Sequence, residues 1–469
     1  MERITTNTLS EHVGSEVLVQ GWVDVRRDQG KLIFLDIRDA YGEVQGVILP
    51  NAKEAHTVGE TIRPEWVVAI QGNVNKRPEK NISEGKMNGD IELEILSIEV
   101  LNEAETPPFP LDTDGLEINE EVRMEYRYID LRRERMQANI KNRSKGLKFV
   151  RDFFAGEGYI EIETPNLTKS TPEGARDYVV PSRLDAGKFY ALPQSPQQYK
   201  QLLMSSGFEK YIQIARCYRD EDTRGDRQPE FTQIDMEASF VTQEDVMALN
   251  ERMLIEMVKT LYPEKKIQET PFPRLSYKEV MEKYETDRPD LREDKDDANL
   301  LAFCWIVDFP FFEKTDKGDW TFTHNPFSAP VPHDEEKLMD EKDIENIIAA
   351  QYDIVLNGSE IGGGSIRAHR PNMLMKTLSI IGHSEEDIEK NFSHMMKALN
   401  SGTPPHGGIA YGFDRLMMIL QNEENIREVI PFPKTGEGRD LLMDAPSEIS
   451  SDQALELGIS VIKPKKEEK

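Results

Sequence analysis

The chain has 469 residues, 38% of them hydrophobic and 31% charged, with a formal net charge of −28 at pH 7. That length and composition point to a globular protein of two or three domains with an ample core, and no apolar run approaches the roughly 18 residues a membrane span needs. The acidic balance excludes a nonspecific coat for polyanions, whereas local arginine patches still permit nucleic-acid recognition through a few salt-sensitive phosphate contacts.

The start, MERITTNTLSEHVG, has no basic segment followed by an apolar one, so no signal peptide is expected. Cys217 and Cys304 lie far apart and form no C-x-x-C pair. They are expected to stay reduced in cytosol, and structural zinc is not expected.

Residues 1–103 read as all-β. Strand-like runs fall at 17–26, 31–38, 43–49, 66–75 and 90–101, with a short helix at 51–58. Five strands in so short a stretch suit a small closed barrel of the OB type, although other small barrels share the pattern. On neighbouring strands sit Arg26, Arg27, Phe34 and Gln45. Phe34 reads as core in such a pattern; facing outward, it would be a stacking platform with Arg27 and Gln45 reading base edges.

The proline-containing acidic stretch 104–118 is the best domain boundary. From Glu120 to about Gly156 the spacing predicts one helix, followed by an alternating strand at 159–163. Beyond it, helices are expected at 196–206, 243–262, 341–349, 384–399 and 412–422, and strands at 188–193, 304–309, 351–356, 359–367 and 407–411. This is no regular βαβ alternation, so the second domain reads as α+β around an antiparallel sheet. The charged tail at 463–469 is expected to fray.

There is no P-loop, no dinucleotide fingerprint after a strand, no H-E-x-x-H and no G-x-S-x-G. Instead, CYRDEDTRGDRQPEFTQID at 217–235 reads as strand, turn, strand. Thr232, Ile234, Met236 and Ala238 fall on one face of its second strand, and Phe231, Gln233, Asp235 and Glu237 on the other. The loop between the strands suits a solvated hairpin tip or a nucleotide site. In the latter, Arg219 would fork onto a phosphate or carboxylate while Phe231 stacks on a base. Asp353 and Glu360 flank an Asn-Gly turn that would bring two carboxylates together, a pair suited to Mg²⁺. Gly362–Gly364 would let a ligand approach the backbone, and Arg367 ends that strand with a guanidinium free for a carboxylate. Arg415 lies where a strand meets a helix start, a place already good for anions. Lys200 alone reads as a helix lysine, and His324 alone as a loop histidine.

Taken together, these segments resemble the class II aminoacyl-tRNA synthetases, specifically the bacterial-type aspartyl enzymes, over nearly the whole chain. RYIDLRR (127–133) with the helix into YIEIETPNL resembles the first class II motif, a dimer interface. The 217–235 segment resembles the second motif and GIAYGFDRL (408–416) the third. TPEGARDY (171–178), FYALPQSPQQYKQLLM (189–204) and GSEIGGGSIR (358–367) resemble segments peculiar to the aspartyl type, and 21–39 resembles its anticodon-binding barrel.

The resemblance implies an N-terminal OB barrel (1–103), a hinge (104–118) and a class II catalytic domain (119–469). It implies activation of L-aspartate by ATP and its transfer to tRNA-Asp by a cytoplasmic homodimer, with no membrane or DNA partner. Arg219, Glu360 and Arg415 would be catalytic. ATP would be held by Arg219, Asp220, Glu221, Arg227, Gln228, Phe231, Glu360, Gly412, Phe413, Asp414 and Arg415, and Mg²⁺ by Asp353 and Glu360. Aspartate would be held by Glu173, Ser195, Gln197, Lys200, Arg219, His324 and Arg367, and the anticodon by Arg27, Phe34, Gln45 and Glu92.

Three departures stand out. Residues 293–302 join segments between which the bacterial members carry a domain-sized insertion. His324-Asn325 stands where the family usually has two histidines. Gln29 and Lys80 give opposing hints on whether tRNA-Asn is charged too. The rivals are a related asparagine or lysine ligase and a tRNA-binding paralogue without catalysis. Lys200 with Arg367 argues against the first, and intact Arg219, Glu360 and Arg415 against the second.

Overall fold

The computed structural model describes residues 1–170 and 174–462. Glu173 and the 463–469 tail lie outside the described residues. The chain divides into two compact units, Met1–Pro110 and Leu111–Lys469.

In the first unit five strands close into a barrel: β1 (Glu16–Gln29), β2 (Leu32–Arg38), β3 (Glu43–Ile48), β4 (Val67–Lys76) and β5 (Ile91–Asn102), in the order β1-β2-β3-β5-β4. Helix α1 (Lys53–Thr61) lies between β3 and β4 in sequence. Strict alternation turns Val17, Val19, Val23, Ile33, Leu35, Ile37, Leu93 and Ile95 inward, where they form one core. Closure leaves no edge for unwanted pairing.

The second unit is built on an eight-stranded sheet. Its strands are β6 (Ile160–Glu161), β7 (Lys210–Tyr218), β8 (Glu230–Ser239), β9 (Arg274–Ser276), β10 (Phe303–Val307), β11 (Gln351–Leu356), β12 (Ser359–Ile366) and β13 (His406–Gly412). The order is β9-β10-β11-β12-β13-β8-β7-β6. The pairings from β10 to β7 are antiparallel, while β6 and β9 join the edges in parallel. Ile234, Met236 and Ala238 of β8 share a core with Val150 and Phe154 of α2 (Glu134–Gly156). The same core takes in Met253, Leu254 and Met257 of α4 (Gln243–Leu261), and Phe413, Leu416 and Met417 of α6 (Phe413–Leu420). Helix α3 (Gln197–Ser205) and α5 (Glu385–Asn400) complete the elements used below.

Two expectations are corrected. The helix anticipated from Glu120 to Gly156 is broken into Glu120–Glu125, Arg127–Asp130 and α2. The breaks gather Arg123, Arg127 and Arg133 around the fully buried Asp130, at 3.0, 2.8 and 2.8 Å. Those charge-assisted contacts outweigh the propensity for one continuous helix. The α-helix anticipated at 341–349 does not form: a helix at Glu335–Asp340 stops before it, Glu341 and Asp343 take positive φ, and only a 3₁₀ turn at Ile344–Asn346 follows. Ile347 and Ala349 are buried in a core with Phe311 and Leu338, a placement reached by the extended path that follows the 3₁₀ turn.

Candidate active site

The polar face of β8, with β12, β13, the N-terminal end of α3 and the 219–228 loop, encloses a cavity of about 360 Å³. Arg219, Arg367 and Arg415 all line it, together with Lys200, Glu360 and Phe231. Residues far apart in the chain therefore meet because β8 and β13 pair in the middle of the sheet.

At one end lie four buried charges. Lys200 Nζ is 2.9 Å from Asp235 and 3.1 Å from Glu237. Arg367 forks onto Glu237 through Nε at 2.8 Å and Nη2 at 3.1 Å, and its Nη1 donates to Ser365 Oγ at 2.7 Å. Burial alone would raise the Glu237 pKa, but Arg367 and Lys200 outweigh it and lower it to about 2. Burial raises the Asp235 pKa despite Lys200, and the neighbouring Glu237 adds to the rise. Gly408 is the cross-strand partner of Glu237, and a Cβ there would stand 2.2 Å from the Glu237 carboxylate. The glycine thus makes room for the anion that holds Arg367. The expected free guanidinium at Arg367 is corrected: four hydrogen bonds already engage it, the fourth from Nη2 to the Gly408 carbonyl at 3.5 Å. Lys200 is likewise a buried partner of carboxylates, not a solvated helix lysine.

Arg219 follows β7, with its guanidinium carbon 5.2 Å from the Phe231 ring centroid. Its Nε donates to the Gln194 carbonyl at 3.4 Å. Across the cavity, Arg415 Nη1 donates to the Glu360 carbonyl at 2.9 Å, and its Nη2 lies 3.2 Å from Asp226. Arg227 lies 3.4 Å from Glu221. Cations and a ring thus face one volume, a set able to hold a polyphosphate and a flat base.

Asp353 and Glu360 sit beside each other on the β11–β12 hairpin. A Cβ on Gly363 would lie 2.6 Å from Asp353 Oδ1 and 3.8 Å from Glu360 Oε1. Glu360 lines the cavity and is accessible there yet is surrounded by protein, and burial followed by Asp353 repulsion raises its pKa. His324 Nε2 lies 3.5 Å from Asp353. Burial would lower the His324 pKa, but the Asp353 carboxylate raises it. Among the described residues no cluster of three or more His, Cys, Asp or Glu is disposed to hold a metal, so any ion here would rest on this pair and on ligand oxygens.

Ser195, Gln197, Glu221, Arg227, Gln228, Gly412 and Asp414 also line the cavity. Several of them are already committed to the protein. Gln228 donates from Nε2 to the Lys434 carbonyl at 3.1 Å and accepts from the Lys434 N–H at 2.7 Å, so its side chain ties two segments together. Asp414 accepts from Thr232 N–H at 2.9 Å and pairs with Arg143 at 2.5 Å, fixing α6 against β8. Asp220 and Phe413 are not among the lining residues. Asp220 bonds the 174–178 segment through Arg176, and Phe413 is wholly buried under Arg143. A side-chain contact from Phe413 to a cavity ligand is therefore corrected to a core role. Gln233, Asp235, Gln351 and Asn325 line the cavity without having been singled out for it. The alternation of β8 carried the signal for the first two, since they share a face with Phe231. Asn325 Oδ1 accepts from Phe327 N–H at 3.0 Å and so shapes its own loop.

On the barrel, Arg27 and Phe34 are cross-strand partners, as are Asp36 and Gln45. Arg27 forks onto Asp36 at 2.6 and 2.8 Å, with Gln45 Oε1 at 3.4 Å. Phe34 is half-buried on the outer face and is not part of the barrel core. The parallel pairing of Gly46 with Leu93 sets Glu92 beside Gln45.

Residues 119–436 match the model of the class II tRNA synthetases (D, K and N), and 17–101 match that of the OB-fold nucleic acid binding domain. The chain belongs to this class II tRNA synthetase family. It is 39% identical to the aspartate–tRNA(Asp/Asn) ligase of Rubrobacter xylanophilus over 582 residues, covering 98% of this chain and 96% of that protein. The aspartate–tRNA ligase of Macrococcus caseolyticus is 38% identical over 577 residues, covering 96% of each. Both matched lengths exceed the 469 residues of this chain, as they must where the relative carries a segment that this synthetase lacks. Among solved structures, the asparaginyl-tRNA synthetase of Pyrococcus horikoshii shares the fold at a TM-score of 0.74 and 22% identity, over 93% of this chain and 98% of that one. A putative aspartyl-tRNA synthetase from Leishmania major does so at 0.74 and 20%, over 92% and 93%.

Proposed function

We propose that this chain is an aspartate–tRNA ligase that joins L-aspartate to ATP and then to tRNA-Asp. The observation that carries the reading is the pair Lys200 and Arg367 in the same cavity as Arg219 and Phe231. An ammonium has three N–H donors and a guanidinium five. Asp235, Glu237, Ser365 and the Gly408 carbonyl do not exhaust them, so each cation keeps one donor for a substrate side-chain carboxylate. An asparagine amide would turn its own N–H₂ toward donors, a mismatch that a polar site rejects strongly. Asp235 Oδ1 is buried and accepts no hydrogen bond among the described residues, so it is suited to the substrate ammonium. Ser195, Gln197 and His324 close around the amino acid. Gln233 lies between Phe231 and Asp235 on β8, where the α-carboxylate meets the nucleotide.

In the first step an α-carboxylate oxygen attacks the α-phosphorus, and the bond to the leaving pyrophosphate breaks with its electron pair. Arg219 neutralises the reacting carboxylate and α-phosphate, while Arg227 and Arg415 hold the outer phosphates. No side-chain nucleophile is required, because positioning and charge neutralisation supply the catalysis. In the second step the terminal ribose hydroxyl of the tRNA attacks the acyl carbonyl, and AMP leaves. Asp353 and Glu360 fit Mg²⁺, since their mutual repulsion, which raises the Glu360 pKa alongside burial, is relieved by a divalent cation that takes few protein ligands. When bound there, it would neutralise phosphate charge and draw off the leaving pyrophosphate.

The barrel face of Arg27, Phe34, Gln45 and Glu92 is assigned to the anticodon. Loss of one stacked base costs about 1–3 kcal/mol, so Phe34→Ala is expected to weaken tRNA-Asp binding roughly tenfold in a filter-binding titration. Aspartate activation without tRNA should not change. A homodimer in the cytoplasm is proposed, joined through the RYIDLRR segment, where Tyr128 keeps 52% of its surface exposed.

The deciding experiment is amino-acid-dependent exchange of pyrophosphate into ATP. Exchange with aspartate but not with asparagine or lysine is expected. The reverse would overturn the reading, and no exchange with any of them would favour a binding paralogue. Charging tRNA-Asp and tRNA-Asn side by side then sets the tRNA range, on which exposed Gln29 and Lys80 point in different directions.

A further inference from the structure

The thiol of Cys217, cross-strand partner of Phe231 and on the same face of the sheet, is fully buried and donates to Gln233 Oε1 at 3.1 Å. Gln233 is the cavity-lining amide between the ring of Phe231 and the carboxylate of Asp235. Its direct cross-strand partners are Ala215 on β7 and Gly412 on β13, and neither carries a polar side chain. An amide so placed has two orientations of nearly equal shape, one presenting a carbonyl oxygen to the cavity and one presenting an N–H₂. The thiol on the diagonal of the β7–β8 ladder breaks that symmetry.

We propose that Cys217 is a positioning residue that locks Gln233 with its oxygen toward the sheet and its N–H₂ toward the cavity, where it donates to the substrate α-carboxylate. The inference rests on the assignment of Gln233 to that carboxylate. A flipped amide would set a carbonyl oxygen against an anion, so the lock favours aspartate binding and leaves the phosphate sites untouched.

The test is steady-state pyrophosphate exchange with Cys217→Ala, Cys217→Ser, Gln233→Ala and the Cys217→Ala/Gln233→Ala pair, each checked by thermal melting. A neutral hydrogen bond is worth about 1 kcal/mol, so Cys217→Ala should raise the aspartate KM about fivefold with the ATP KM unmoved. Cys217→Ser, which keeps a donor, should restore most of it. In the Gln233→Ala background the cysteine change should add nothing. An unchanged aspartate KM in Cys217→Ala beside an impaired Gln233→Ala overturns the cysteine proposal alone, as does a cysteine effect that persists without Gln233. An unchanged aspartate KM in Gln233→Ala overturns the carboxylate assignment beneath it.

Discussion

Replacing Arg219 with alanine is expected to lower kcat for aspartate-dependent pyrophosphate exchange by about 10²–10³-fold, the loss typical of one preorganised donor facing developing charge. The fold should survive it. Arg219 is half-buried at the end of β7, and its backbone N–H is held by the Pro229 carbonyl at 2.9 Å. Its guanidinium touches the Phe231 ring and the Gln194 carbonyl, with no carboxylate in ion-pair distance among the described residues. That separates it from Arg227, Arg367 and Arg415, each of which already faces an acidic side chain. An arginine without a carboxylate partner offers its whole charge to the ligand, so its removal costs chemistry and little stability. Arg219→Lys should recover only part of the rate, because a point charge cannot fork across carboxylate and phosphate. Near-normal exchange in the alanine variant would remove Arg219 from the reaction.

Arg367→Leu should fail differently. Aspartate activation is expected to fall below detection, and the melting temperature should fall with it. Leucine removes the cation that would read the substrate side chain, and it also strands the fully buried Glu237 with Lys200 alone. Breaking a buried pair by removing one partner costs about 3–5 kcal/mol, several times the surface value of about 0–1 kcal/mol. The pH dependence tells the two losses apart. Glu237 is held at about 2, below its ordinary 4.5. A carboxylate with a depressed pKa contributes stability above its unfolded value and loses it as pH falls through the folded one. The parent should therefore keep this contribution at pH 5 and lose it toward pH 2. In Arg367→Leu the Glu237 pKa rises, and acid unfolding should begin at higher pH. Normal aspartate activation in this variant would refute the carboxylate pocket, while an unchanged acid-unfolding curve would refute the ion pair.

The barrel was legible because period-two alternation is a property of neighbouring residues: Val17, Val19 and Val23 point inward wherever β1 is placed. The cavity face of β8 was legible for the same reason, since Phe231, Gln233, Asp235 and Glu237 must share a side of any strand. The chain between Glu120 and Gly156 misled, because its spacing favours a helix whereas Asp130 draws Arg123, Arg127 and Arg133 around itself. Arg367 was recognised as a cation of the site, but its state was not. Glu237 lies 130 positions away in the chain, and no local pattern specifies that pairing. Gln228 is tied to Lys434 across 206 positions in the same way, and Phe413 sits beside Arg415 in sequence yet is turned into the core. The sequence by itself determined which residues share a strand face and so which residue types that face could offer. Only the tertiary structure decided which of those charges are already neutralised and which still face the cavity, because burial and ion pairing are set by segments that meet through the sheet and not through the chain.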